Sequence, residues 1–179
     1  MKKCSIIPTI CMFLLIVSCE SDILKEPSTT NISQENNIDM IIVGELTSYS
    51  QCKSFNKNTN QLASNESCIE YSFDDTNSTL HITHINAGFN CCPVEITTTI
   101  NHSNDTIYIV ENEGNPLCNC SCLYDLEIDI KNIKEGKYIM NIIEPYAPTD
   151  SELCFEINLT ETNNGDFCVT RDLYPWDSF

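Results

Sequence analysis

The sequence predicts an all-β protein, an antiparallel β-sandwich of about nine strands stapled by disulfides. Three observations predict it. From Ile38 onward the apolar residues recur with period two and no segment carries the 3.6-residue period of a helix. The alternating segments are separated by clusters of turn residues at spacings of roughly 8–12 residues, the rhythm of a sandwich or barrel. The chain carries 12 cysteines, nine of them beyond an N-terminal export signal and its Cys19, the pattern of a disulfide framework.

Each strand can be justified in turn. "IDMIIVGELTSYSQC" supplies the first. After a long polar loop, "CIEYSF" puts Ile69, Tyr71 and Phe73 on one face, and "TLHITHI" does the same for Leu80 and Ile82. "VEITTTI" directs Val94, Ile96 and Ile100 inward and Glu95, Thr97 and Thr99 outward, and "DTIYIVE" follows the turn residues His102–Asn104. "CLYDLEIDIKNI" is the clearest case: Tyr124, Leu126, Ile128 and Ile130 face one way, and Asp125, Glu127, Asp129 and Lys131 the other. "GKYIMNIIEP" follows a turn at Gly136, "LCFEINLTE" alternates Leu153, Phe155, Ile157 and Leu159 with polar partners, and "NNGDFCV" supplies the last strand. Asn164-Gly165 is expected to form a type I′ hairpin turn, because both central residues of that turn need positive φ. One apolar and one polar face per strand implies antiparallel sheets with a solvated side.

The segment "IKEGKYIMNI" resembles the L-x-x-G-x-Y-x-V signature of immunoglobulin-like bacterial domains. The resemblance implies an immunoglobulin-like sandwich with Tyr138 near the corner where the chain changes sheet.

The chain opens "MKKCSIIPTICMFLLIVSCESD". Lys2 and Lys3 precede an apolar run from Ile6 to Val17, which is short of the roughly 20 residues a membrane-spanning helix needs. That is the layout of a secretory signal peptide. Its end, "LIVSC", resembles the bacterial lipobox, with Ile16 three before the cysteine, Ser18 before it and then Cys19. The resemblance implies cleavage after Ser18 and a lipidated Cys19 at the mature N-terminus, attached to the membrane by its acyl chains. Glu20 stands where an Asp would resemble the inner-membrane retention signal, so the expected location is the cell envelope, at the outer membrane, periplasmic or surface-facing. The expected organisation is a signal peptide over 1–18, a lipidated N-terminus and flexible polar tether over 19–37, and one sandwich domain over 38–179.

The formal net charge is −17, and removing Lys2 and Lys3 takes it to −19. Such a field excludes nucleic acid and anionic lipid surfaces as electrostatic partners. The expected partners are the membrane, through the lipid, and a protein or small-molecule ligand. The chain has five glycines and none of the G-x-S-x-G, H-E-x-x-H or P-loop patterns. No enzyme activity and no cofactor are therefore expected. His81 and His84 fall on opposite faces of one strand, a poor ligand pair, and read as surface or half-buried residues. The Asp74-Asp75 and Glu111/Glu113 pairs read as solvated turn residues.

Nine cysteines remain after the anchor: Cys52, Cys68, Cys91, Cys92, Cys118, Cys120, Cys122, Cys154 and Cys168. All are disulfide candidates, and an odd number leaves at least one thiol over. In an extended "CNCSC" the residues Cys118, Cys120 and Cys122 share the core face, about 6.5–7 Å apart and beyond mutual pairing. Adjacent Cys91 and Cys92 are expected to seek different partners, with "CNCSC" as the obvious source. Cys52 and Cys68 bracket a polar loop and are the favoured pair. Cys154 and Cys168 are not expected to pair. The alternative is a soft-metal site for Cu or Zn built from Cys91 and Cys92 with Cys118, Cys120 and Cys122, since thiolates select such ions. Against it, Cys-x-Cys-x-Cys departs from the Cys-x₂₋₄-Cys spacing of zinc knuckles.

"FNCCP", then "CNCSC" leading into "YDLEIDI", and a terminal "FCVTRDLYPW" together resemble a group of uncharacterised cysteine-rich bacterial lipoproteins. The resemblance implies class and location; it supplies no activity.

Overall fold

The computed structural model describes residues 41–53, 65–115, 117–147 and 152–172. The signal peptide, Cys19, the tether, the start of "IDMIIVGEL" and the terminal "LYPW" lie outside the described residues.

Among the described residues nine strands form: β1 (Val43–Tyr49), β2 (Glu66–Asp74), β3 (Thr79–Asn90), β4 (Ile96–Ser103), β5 (Thr106–Glu113), β6 (Ser121–Lys131), β7 (Lys137–Ile143), β8 (Leu153–Asn158) and β9 (Asn164–Thr170). They make a five-stranded sheet in the order β1-β6-β3-β2-β9 and a four-stranded sheet in the order β4-β5-β7-β8. All pairings are antiparallel except β5 with β7, which run parallel because β6 crosses to the other sheet between them. The sandwich expected from the alternation is thus present, with one parallel pair that alternation does not reveal.

The inward residues of the two sheets form a main core cluster and a smaller one around Phe89, Tyr124 and Leu126. Ile69, Leu80, Ile82, Ile128 and Ile130 from the five-stranded sheet meet Ile107, Ile109, Met140, Ile142 and Ile157 from the other. Each such side chain contributes about 1.5–3 kcal/mol when fully removed from water. One side of the sandwich is closed by stacking of Phe155 on Phe167, with ring centroids 4.7 Å apart. Strands β1 and β4, the edge strands of the two sheets, flank the opposite side.

A β-bulge in β3 positions the candidate site. His84 pairs with Leu126 and Ala87 with Tyr124, so three steps on β3 span two on β6. Asn86 takes up the extra residue with φ of 63°. Its Nδ2 donates to the Glu66 carbonyl at 2.7 Å, its backbone N to Asp125 at 3.0 Å, and its Oδ1 accepts from Lys53 at 2.8 Å. The bulge reverses the alternation. Leu80, Ile82 and His84 point inward before it; Ala87 and Phe89 point inward after it.

Tyr138 sits where the chain leaves β6 in one sheet and enters β7 in the other, and its hydroxyl donates to the Lys134 carbonyl at 3.0 Å. That is the corner role the signature implies. Asp74 does occupy a turn, where it accepts from the Thr76 and Asn77 amides at 3.0 and 3.3 Å.

Three expectations are corrected. Asn164-Gly165 is not a hairpin turn: β8 and β9 lie in different sheets, and both residues pair with β2, Asn164 opposite Ser72 and Gly165 opposite Tyr71. Gly165 is needed for space, since a Cβ there would lie 2.7 Å from the Tyr71 hydroxyl. Val94 is exposed because β4 begins only at Ile96. Glu111 is no turn residue; it continues the inward face of Ile107 and Ile109 on β5 and is buried.

Candidate functional site

The cysteines separate into staples and a cluster. Cys52 joins Cys122, and Cys68 joins Cys168. The favoured Cys52–Cys68 pair is therefore corrected. Cys68 stands directly opposite Cys168 across the β2–β9 ladder, whereas Cys52 follows β1 and meets Cys122 on β6, the strand beside it. Cys154 is also disulfide-bonded, and not to Cys168.

Cys91 joins Cys120, a link between "FNCCP" and "CNCSC". The placement of all three "CNCSC" sulfurs on the core face is corrected: β6 begins at Ser121, so only Cys122 is extended and buried. Cys118 and Cys120 precede the strand in a bend, which brings their sulfurs to 3.1 Å rather than the spacing of an extended chain. Cys118 Sγ also lies 4.0 Å from Cys91 Sγ. Cys92 and Cys118 are free thiols. The Cys118 thiol is pushed up from its ordinary range by a hydrogen bond with Cys92, by burial and by the Cys92 charge. Three sulfurs, Cys91, Cys118 and Cys120, thus converge from the β3–β4 and β5–β6 connections, with Cys92 next to Cys91 along the chain.

Asn90 ties those two connections together. Its side chain accepts from the Cys92 amide at 2.8 Å and from Cys118 Sγ at 3.1 Å, and donates to the Cys118 carbonyl at 2.5 Å. Backbone bonds from Cys91 N to the Cys120 carbonyl at 3.1 Å and from Leu117 N to the Cys92 carbonyl at 3.2 Å complete the clasp. Glu113 accepts from the Asn90 amide at 2.7 Å and from the Tyr146 hydroxyl at 2.5 Å. Burial and the Glu113 carboxylate push the Tyr146 hydroxyl up to about 12.

A second cluster lies inside the sandwich. His84 Nδ1 is 2.6 Å from Glu111 Oε1, and His84 Nε2 is 2.9 Å from Ser67 Oγ and 3.8 Å from Glu144 Oε1. Arg171 forms an ion pair with Glu144. The side chains of His84, Glu111, Glu144 and Arg171 are all essentially inaccessible to solvent. Burial pulls the His84 pKa down, but the Glu111 carboxylate beside it and then Glu144 outweigh that and hold it above the ordinary histidine value. Burial, reinforced by the Glu111 charge, raises Glu144. With His84 protonated, two cations balance two carboxylates, which is the condition for keeping such charges out of water.

Ser67, His84 and Glu111 stand in the order of a serine-hydrolase relay. Ser67 and His84 are each 0% exposed, so no substrate can reach the Ser67 hydroxyl in this structure.

Comparison with known protein families, curated proteins and solved structures finds no match to this chain.

Alternation carries a signal for the buried cluster. The inward runs Leu80-Ile82-His84, Ile107-Ile109-Glu111 and Met140-Ile142-Glu144 each end in an ionisable residue. The parallel register of Ile109 with Ile142 brings the last two ends to one level. His81, one face over, is half exposed and meets Asp129 at 2.7 Å.

A groove of about 440 Å³ runs between the edge strands β1 and β4. Leu46, Ser48, Tyr49, Glu95, Thr97 and Thr98 are among its lining residues.

Proposed function

We propose that the chain is a cell-envelope lipoprotein whose sandwich is a non-catalytic binding or interaction module. The single observation that carries this is the lipobox, Ile16 to Cys19, which ends an apolar run behind Lys2 and Lys3 and is followed by a polar stretch. In this reading Met1–Ser18 is removed, Cys19 carries the lipid, residues 19–37 form the tether, and Glu20 directs the protein to the outer membrane. Several features support a module built for the oxidising exterior. The described domain is cross-linked by Cys52–Cys122, Cys68–Cys168 and Cys91–Cys120, and such bonds persist outside the reducing cytosol. The groove between β1 and β4 offers a concavity of small-ligand size. Glu95 lines it, the Glu45 carboxylate beside it being paired with Lys131, and in a chain of net charge −17 this favours a neutral or cationic ligand over nucleic acid.

The test is acyl labelling and processing in a bacterial host with and without globomycin. The wild-type chain takes up labelled fatty acid and accumulates as an unprocessed precursor under the inhibitor. The Cys19→Ala variant does neither. Processing that is unchanged by both the inhibitor and Cys19→Ala overturns the reading.

A further inference from the structure

The sulfur cluster of Cys91, Cys118 and Cys120 contains more sulfur than a staple requires. Cys91 and Cys120 suffice to join the β3–β4 and β5–β6 connections. Yet Cys118, a free thiol, lies 3.1 Å from Cys120 Sγ and 4.0 Å from Cys91 Sγ, and the second free thiol, Cys92, has its backbone amide on the same Asn90 oxygen that accepts from Cys118 Sγ. A Zn–S bond of about 2.3 Å places the sulfurs of a tetrahedral four-thiolate site about 3.8 Å apart. The separations from Cys118 bracket that edge. Completing the set requires Cys91 and Cys120 to part and Cys92, whose amide Asn90 holds, to turn in.

The frame around the cluster does not depend on the oxidation state of sulfur. Asn90, 1% exposed, holds both connections through the Cys92 amide and the Cys118 carbonyl, and the Cys91–Cys120 and Leu117–Cys92 backbone bonds clasp them again. Opening the disulfide therefore leaves the backbone that carries the four cysteines held by the same bonds. Among the described residues, no histidine or carboxylate clusters with Cys91, Cys118 and Cys120. Sulfur-only ligation selects soft d¹⁰ cations over Mg²⁺ or Ca²⁺.

We propose that Cys91, Cys92, Cys118 and Cys120 form a four-thiolate site for one soft d¹⁰ cation, Zn²⁺ or Cu⁺, opened when a dithiol reduces the Cys91–Cys120 bond. In the first step the dithiol gives two electrons and becomes a cyclic disulfide, and its two protons pass to the Cys91 and Cys120 sulfurs. In the second step the cation displaces the protons of the four thiols. Cys122, named with this cluster in the sequence, is not a ligand because its side chain is buried on β6, away from the other sulfurs. The inference is independent of the membrane anchor, so Cys19→Ala leaves it intact.

The experiment uses the full chain in detergent, treated with dithiothreitol, freed of it without air, and titrated with Zn²⁺ under native mass spectrometry. The expected result is one ion per chain, about four protons released on binding, and the visible d–d bands of tetrahedral thiolate when Co²⁺ replaces Zn²⁺. Cys118→Ser and Cys92→Ser each weaken binding by at least about tenfold, and Cys68→Ala/Cys168→Ala leaves it unchanged. Cys92 and Cys118 belong to no disulfide, and far-UV circular dichroism checks that each variant keeps its sheets. Because Cys92 is exposed, its variant decides the matter even where Cys118→Ser fails to fold. No ion on the reduced wild type overturns the proposal. So does equal affinity in both serine variants, or equal affinity before reduction.

Discussion

Replacing Cys68 and Cys168 together by alanine removes a bond between residues 100 apart, set face to face on β2 and β9. The bare chain-entropy account assigns a loop of about 100 residues roughly 4.7 kcal/mol. The Cys52–Cys122 bond overlaps this loop and offers a shorter path: 16 residues back from Cys68 to Cys52, across the bond, and 46 onward from Cys122 to Cys168. An effective loop near 62 residues lowers the figure to about 4.3 kcal/mol. For a domain of this size each kcal/mol moves Tm by about 2–4 °C or somewhat more, so the double variant should melt about 10 °C or more below wild type. Urea unfolding of the two proteins, unreduced and compared through both midpoint and slope, gives the free energy. The single variant Cys68→Ala adds the sharper readout. It should expose Cys168, and not Cys52, to alkylation, mapped by peptide mass. A loss below about 1 kcal/mol refutes the cross-link's energetic role, and alkylation at Cys52 refutes the pairing itself.

The buried cluster predicts a pH slope. His84 has a folded pKa above its unfolded value, so its stabilisation is full below about pH 6.5 and disappears as pH rises through the folded value. Glu144, also raised, acts in the same direction from its lower starting point. Stability by denaturant should therefore fall as pH rises above about 6.5, and Glu111→Gln should flatten the slope; a wild type with no fall above that pH contradicts the charge balance. His84→Leu, which leaves the Glu111 and Glu144 carboxylates buried beside a single cation, should cost about 3–5 kcal/mol by the same measurement. At Gly44 a Cβ would stand 2.5 Å from Ile100 Cγ1 and 3.0 Å from the Asp129 carbonyl oxygen. Gly44→Ala should cost about 1–3 kcal/mol, and Ile100→Ala should recover part of that in a double-mutant cycle; zero coupling contradicts the close approach of β1 and β4.

Much of the fold is legible because burial in a sandwich acts on alternate residues of each strand. The runs Tyr124 to Ile130 on β6 and Leu153 to Leu159 at β8 read directly as core. The same rule placed His84 away from His81. It gave no reason to expect a histidine, two glutamates and an arginine at one level of the interior, because alternation says which face a residue takes and not which strand ends meet. Asn-Gly carries a local turn preference, yet Gly165 answers to the Tyr71 ring across the ladder. There tertiary packing overrode the turn propensity.

By itself the sequence determined the strand class and the inward faces, because period two is a property of one strand. It determined the cysteine density and the likeness of its N-terminus to an export signal for the same reason, since these are read along the chain. Pairing needs distances between strands, and only the tertiary structure supplied them. The neighbour relations β2–β9 and β1–β6 separated Cys52 from Cys68. The bulge at Asn86 turned the end of β3 so that Phe89 packs inward and Cys91 arrives beside Cys118 and Cys120. Short range along the chain fixes what each strand offers; the order of strands in space decides which offers meet.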